Sequence, residues 1–207
     1  MKRNLILIIS FLCSFSCQDK IDANPKEPQP PLTGILSTLK KEHPRLMLTN
    51  SLVEEIKLKR KNDAVLDKYA LAVIASANGI INKAPLARVL IGPRLLSVSR
   101  ELLHRVTNLS LAFHLTSDPK YLDAAVSQMK TVCAFTDWNP SHFLDVAEMT
   151  MAVSIGYDWL FKHLSDHSRN IIREAILKKG LEPSMNPKFN AWLKATYNWN
   201  QVCNAGM

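Results

Sequence analysis

The chain has 207 residues, 47% of them hydrophobic and 21% charged, with 26 Lys and Arg against 18 Asp and Glu. That length supports one domain with a real core, and the balance excludes a disordered or coiled-coil protein. Six glycines, and eleven prolines placed mostly in short connecting stretches, favour helices over a many-turned β architecture.

At the amino end, Lys2 and Arg3 precede an apolar run from Leu5 to Leu12, and small residues follow up to Cys17. This order predicts a secretory signal over residues 1–16, too short to stay in a membrane as a spanning helix. Ser14-Phe15-Ser16-Cys17 is similar to a bacterial lipobox with Phe15 as a departure, so Cys17 is expected to carry lipid; an ordinary cleaved signal is the alternative. The polar, Pro-rich stretch NPKEPQPP within residues 17–39 reads as a tether between the membrane and a domain over residues 40–207. The mature protein is expected in the cell envelope, held by its lipid anchor.

Loss of the leader removes Lys2 and Arg3 and no acidic residue, so the net charge falls from +8 to +6. For an exported protein, such a basic surface suits acidic polysaccharide rather than nucleic acid; a basic surface with no partner is equally compatible with charge alone. Cys133 and Cys203 remain, seventy residues apart, and either pair or stay as buried thiols. Neither has the spacing of a zinc site, so no metal and no cofactor are expected.

Beyond the tether, HPRLMLT is a short extended entry, and Thr49, Asn50 or Ser51 caps a helix through about Ala75 with Leu52, Ile56, Leu66 and Ala70 on its apolar side. Gly79 to Pro93 breaks the pattern. Val98, Leu102, Leu103, Val106, Leu109 and Phe113 recur at helical steps and predict a helix from about Leu95 to Leu115. Ser117-Asp118-Pro119 ends it and starts the next, which carries Tyr121, Ala125 and Met129 to about Phe135. Asp137-Trp138-Asn139-Pro140 repeats this device and opens a helix through about His163. Ser165 then caps a helix over Asp166 to Lys179, ended by Gly180 and Pro183. No alternating run of strand length competes. The fold class predicted is all-α, a series of antiparallel helical hairpins. Such a series builds a solenoid or an α/α toroid, and the lack of self-similarity at the roughly 34-residue period of hairpin repeats favours the toroid.

Two stretches concentrate chemistry. In CAFTDWNPSHFLDVAEMTMAVSIGYDWL, His142, Asp145 and Glu148 recur every three residues at a helix start and share one drifting face, with about 60° between neighbours. With Trp138 just outside the helix they form a candidate sugar-binding group, an aromatic platform beside groups that hydrogen-bond hydroxyls. The alternative is that His142 and Asp145 satisfy each other near a helix amino end while Glu148 is solvated. As metal ligands the three diverge and lack a fourth. In WLKATYNWNQVCNAGM, amides and aromatics crowd into the start of another helix. Asn198 or Asn200 would serve as an ordinary cap, or an uncharged amide is aimed at a substrate carboxylate and shares its developing charge.

Four stretches in order, HPRLMLTNSLVEEIK, LTSDPKYLDAAVSQM, DWNPSHFLDVAEMTMAVSIGYDWL and YNWNQVCNAGM, resemble landmarks of the heparinase II/III-like polysaccharide lyases across residues 40–207. The resemblance implies an α/α toroid followed by a β-sandwich region and cleavage of uronic-acid-containing polysaccharide by β-elimination. It also implies Asn198 as the catalytic amide that neutralises the uronate carboxylate, with Trp199, Asn200 and Gln201 beside it as substrate-binding residues. Some relatives place a His directly after that Asn, where this chain has Trp199. The family's catalytic Tyr, distal His residues and β-sandwich would follow Met207, so the 207 residues are expected to be an incomplete toroid without lyase activity of their own. A non-catalytic helical carbohydrate-binding or scaffolding lipoprotein is the alternative.

Overall fold

The structure is a computed structural model that describes Gly34 and residues 37–207. The leader over residues 1–16, Cys17 and most of the tether lie outside the described residues. From Lys40 to Met207 the chain forms one compact unit. It is all-α, and the described residues contain no strand, only an isolated bridge between Ile91 and Arg94.

Thr49 caps α1 (Asn50–Lys59) by accepting a hydrogen bond from the Leu52 N–H, as its side-chain chemistry dictates. The single helix expected through Ala75 is two helices. Asp63 takes an extended conformation and accepts from the Val65 and Leu66 N–H groups, which starts α2 (Ala64–Ile81) afresh. Its apolar face continues straight through Gly79, so the break expected there begins only after Ile81. On the sides flanking that face, Val65, Tyr69 and Leu71 are exposed.

The long helix α3 (Leu96–Thr116) ends at Ser117, whose left-handed conformation (φ 60°) terminates it. The next helix, α4 (Pro119–Cys133), begins with Pro119 in its first turn and Asp118 accepting from the Lys120 N–H. Asn139-Pro140 does not itself open the following helix. Asp137 accepts from the Asn139 N–H at 2.7 Å and Asn139 takes φ 62°, so a tight turn precedes α5 (Phe143–Leu160).

Thirteen of the eighteen α5 residues are buried, which makes it the central helix rather than a surface one. It packs chiefly on α3 and on α8 (Asn198–Gly206), and α3 also packs on α4 and α2. Leu102, Val106, Leu109, Met129, Met149, Val153 and Leu160 form the heart of the core.

The entry segment is tied to α5 by one buried carboxylate. Asp158, 2% exposed, accepts from the Arg45 and Leu46 N–H groups at 2.7 and 2.8 Å and pairs with His43 at 2.5 Å.

Ser165 caps α6 (Asp166–Ala175) through the Ser168 N–H as expected, but the helix does not end at Gly180. A π-helical turn over Ile176–Leu181 leads into a short α7 (Glu182–Met185), with Pro183 in its first turn. Gly180 is a contact point: a Cβ there would meet Thr150 Oγ1 of α5 at 2.6 Å. The missing side chain lets this turn approach the central helix.

Candidate functional site

Helix α5 meets α8 at the amino ends of both, and this contact joins the two stretches singled out in the sequence. The Phe143 and Trp192 rings stack with centroids 5.0 Å apart, and His142 meets Trp199 edge-on at 4.9 Å. Farther along, Gly206 lies so close to α5 that a Cβ would fall 2.4 Å from the Ala147 carbonyl oxygen.

His142 and Asp145 pair as their spacing suggested, and the carboxylate has further partners. Asp145 is fully buried; Oδ1 meets His142 Nδ1 at 2.8 Å, and Oδ2 accepts from the Leu95 N–H and from Asn139 Nδ2, each at 2.6 Å. Leu95 precedes the first residue of α3, so the carboxylate also sits where a helix dipole favours negative charge. Asn139 donates its second amide hydrogen to the Pro93 carbonyl at 2.8 Å, fastening the loop before α3 to the turn before α5. Asp145 is thus a fully buried structural hub that orients the His142 ring. A carboxylate only accepts, so Nδ1 carries the proton, and Nε2 has no hydrogen-bond partner among the described residues.

The other residues of the first stretch separate. Trp138 is fully buried and its indole N–H donates to the Val132 carbonyl at 3.0 Å. It is a core residue and offers no face to a sugar, which corrects its expected role as a platform. Its amphipathic ring permits both fates, and burial of a large apolar surface decided between them. Glu148 is engaged by Arg100 through two parallel hydrogen bonds of 2.9 and 3.0 Å. That forked pair lifts the Arg100 pKa above its ordinary value.

In the second stretch neither Asn198 nor Asn200 caps α8. Tyr197 occupies the cap position without a side-chain bond. Asn200 donates to the Trp192 and Leu193 carbonyls at 3.2 and 2.9 Å, which makes it a brace for the preceding turn. Asn198, in the first turn, is exposed and its carboxamide makes no hydrogen bond among the described residues; Gln201 is likewise exposed. Trp199 is half-buried against His142.

Beside Asn198 lies a cleft of about 310 Å³ lined by Pro140, Ser141, Phe143, Lys188, Phe189, Ala191, Trp192, Tyr197 and Trp199. Trp192 is 4% exposed, and its indole N–H is buried without an acceptor. Such an orphaned donor typically costs about 1–3 kcal/mol. Lys188, Phe189, Trp192 and Tyr197 were not read as site residues. The only sequence signal for them was the spacing of aromatics around a Lys in NPKFNAWLKATYNW. A larger hollow of about 650 Å³ over α4 and α6 includes His163 and Ser168, but the buried Ser168 hydroxyl is already bonded to Ser165 at 3.1 Å.

Cys133 and Cys203 are separate, buried free thiols. Burial pushes the Cys133 thiol up to about 12 and the Cys203 thiol to about 11, the latter helped by the Glu148 charge. Among the described residues no cluster of His, Cys, Asp and Glu is placed to hold a metal ion. Set against known proteins, the chain matches no family model and no curated protein.

Proposed function

We propose that the chain is the amino-terminal, helical part of an exported polysaccharide lyase of the heparinase II/III-like kind, acting on uronic-acid-containing polysaccharide by β-elimination. Asn198 is its neutralising amide, and the helices are the early hairpins of an α/α toroid. The single observation that carries this reading is the exposed, unbonded Asn198 carboxamide at the amino end of α8. Next to it stands Trp199, in contact with a His142 whose Nδ1 is fixed by buried Asp145. Elimination removes a weakly acidic proton beside a carboxylate, and charge spreading onto that carboxylate is stabilised by a positioned donor. An uncharged amide at a helix start provides one, reinforced by the partial positive charge of the free N–H groups there.

His142 Nε2 and the Trp199 ring are the groups that hold the neighbouring sugar, with Gln201 at the edge. The exposed apolar side chains Val65 and Tyr69, neighbours on one side of α2, agree with an open edge where further toroid helices dock. Acidic polysaccharide is the partner, attracted by the net positive charge, and a lipid on Cys17 holds the protein in the cell envelope.

The test is formation of unsaturated product, followed by ultraviolet absorbance, when the full-length protein is offered several uronate polymers. Absorbance that rises with a uronate polymer and not with a neutral glucan supports the reading. A full-length protein that binds such polymers without cleaving them favours the second reading, a carbohydrate-binding lipoprotein, for which the aromatic cleft beside Asn198 speaks.

A further inference from the structure

The candidate site lies at the amino end of α5, whereas the chain enters the compact unit at the other end. Lys40 is where that unit begins, and the segment after it is fastened to the carboxyl end of α5 by the bonds of Asp158 to the Arg45 and Leu46 N–H groups. Trp159 adds a second tie, its indole N–H donating to the Leu46 carbonyl at 2.8 Å. These bonds hold Met47 at φ 59°, a conformation that is costly for a residue with a side chain and persists only where its surroundings impose it. The result is an apolar protrusion: Met47 is 67% exposed, and Leu46 beside it is exposed as well.

Helix α1 continues the same surface. Val53 is its one buried residue, and Leu58 and Lys59 stand outward, about 140° and 120° round the helix from it. Lys57, Leu58 and Lys61 line a hollow with Leu115 near the end of α3, and the adjoining His114 donates to the Trp159 carbonyl at 2.8 Å. So α1 belongs to this end of the molecule. Charge gathers here too: residues 40–62 hold seven Lys and Arg against three Glu, whereas residues 63–207 hold fifteen against twelve acidic residues. Glu54 and Glu55 pair with Lys57 and Lys59, while Lys40, Lys41 and Lys61 are exposed.

From this combination we infer that the Leu46–Met47 protrusion and the basic surface of residues 40–62 form a docking surface for an anionic lipid bilayer, which turns the candidate site away from the membrane. Exposed aliphatic side chains set among cations suit the boundary of a bilayer, where the apolar groups enter the acyl region and Lys and Arg meet the phosphates. A hydrated acidic polysaccharide would use the cations but gain nothing from Met47 or Leu58, and residues 40–62 contain no Phe, Tyr or Trp to lie on a sugar ring. The tether over residues 17–39 ends at Lys40, on this same surface. A lipid on Cys17 fixes only the far end of that tether and leaves the domain free to turn; docking fixes its orientation. Asp145 and Asp158 are thirteen residues apart on α5, which puts about 20 Å of helix between the candidate site and the docking surface. Docking of this kind presumes the envelope location proposed above and is independent of the elimination chemistry.

The experiment uses the full chain with Cys13→Ser and Cys17→Ser, which carries no lipid, and one environment-sensitive fluorophore placed through Met47→Cys, Leu58→Cys or Ser97→Cys. Ser97 is exposed in the first turn of α3, near the candidate site, and serves as the control. Cys133 and Cys203 are buried and stay unlabelled. The vesicles are phosphatidylcholine alone, or equal parts phosphatidylcholine and phosphatidylglycerol. Expected with the anionic vesicles is a blue shift at the Met47 and Leu58 positions and none at Ser97, weakened by added salt. Lys40→Glu, Lys41→Glu and Lys61→Glu together alter exposed side chains only, and are expected to raise the vesicle concentration that gives half the shift by about tenfold or more. A shift at the Ser97 position as large as at the other two, or no shift at any of them, overturns the docking surface. A shift at Met47 or Leu58 with a soluble glucuronate polymer but not with vesicles overturns it as well, and makes the face a polysaccharide surface. Fatty-acid labelling that leaves Cys17 bare in the unsubstituted protein sinks the lipid anchor alone, because the vesicle result is obtained without Cys17.

Discussion

The imidazole of His142 is held through Nδ1 by the Asp145 carboxylate at 2.8 Å, and the same carboxylate receives the backbone N–H of Leu95 at the head of α3. One buried group therefore orients a ring at the candidate site and joins the two longest-packed helices of the core. Asp145→Ala would leave His142, Leu95 and Asn139 without their acceptor in a fully buried place. Breaking such a buried arrangement from one side costs about 3–5 kcal/mol. Urea unfolding is expected to register a loss of that size. In contrast, Glu148→Gln breaks one pair in which Glu148 is largely buried but Arg100 stays solvated, and should cost about 1 kcal/mol, well below the Asp145 change.

Two glycines should respond in opposite directions. At Gly206 a Cβ would press on the backbone of Ala147, which cannot move aside as a side chain can. Gly206→Ala is expected to lower stability by about 1–3 kcal/mol, or to lift α8 from α5 and quench the contact of Trp199 with His142. At Gly79, exposed in the last turn of α2, a Cβ meets nothing within 4 Å. Gly79→Ala is therefore expected to stabilise by about 0.4–1 kcal/mol, chiefly by restricting the unfolded chain. Thermal melts of both variants check the pair.

The thiols give a pH dependence with a definite sign. Burial raises the Cys133 pKa from 9.0 to about 12 and the Cys203 pKa, with help from Glu148, to about 11. The folded protein keeps these protons when the unfolded chain has lost them. Their contribution to stability is therefore complete below pH 9.0 and falls as pH rises from 9.0 towards about 12. A displacement from 9.0 to about 12 leaves roughly a thousandfold less thiolate on Cys133 at pH 8. A thiol reagent at that pH should label both residues in denaturant and neither in the native protein. Rapid native labelling of Cys133 would contradict its burial.

What was legible in the sequence was local. Thr49, Asp118-Pro119 and Ser165 each act on an N–H two or three residues away, and each caps the helix expected of it. His142 and Asp145 pair across one helical step for the same reason. The break at Asp63 was hidden because no Gly or Pro marks it, only a side chain that competes for two N–H groups. Gly180 looked like a stop because its approach to Thr150 depends on a helix thirty residues away in the chain. Separation along the chain likewise concealed Leu95 as a partner of Asp145 and the cleft that Lys188 and Trp192 share with Phe143, while the Asn139 bond to Asp145, six residues away, and the burial of Trp138 were hidden by the turn that places them. Side-chain chemistry announces what a residue can bond, while packing decides which partner it meets.

On the proposed reading, the Asn198 carboxamide serves a ligand and not the helix. Tyr197 holds the cap position and Asn198 makes no bond of its own among the described residues, so Asn198→Ala should leave the melting temperature unchanged. In the full-length protein acting on a uronate polymer, the same substitution is expected to lower kcat by about 10²–10³, the usual effect of removing one donor that meets developing charge. kcat and the melting curve measured on the same Asn198→Ala sample separate the two roles: activity lost with the melt intact is the predicted result, and activity retained with a lowered melting temperature would contradict a ligand role for Asn198.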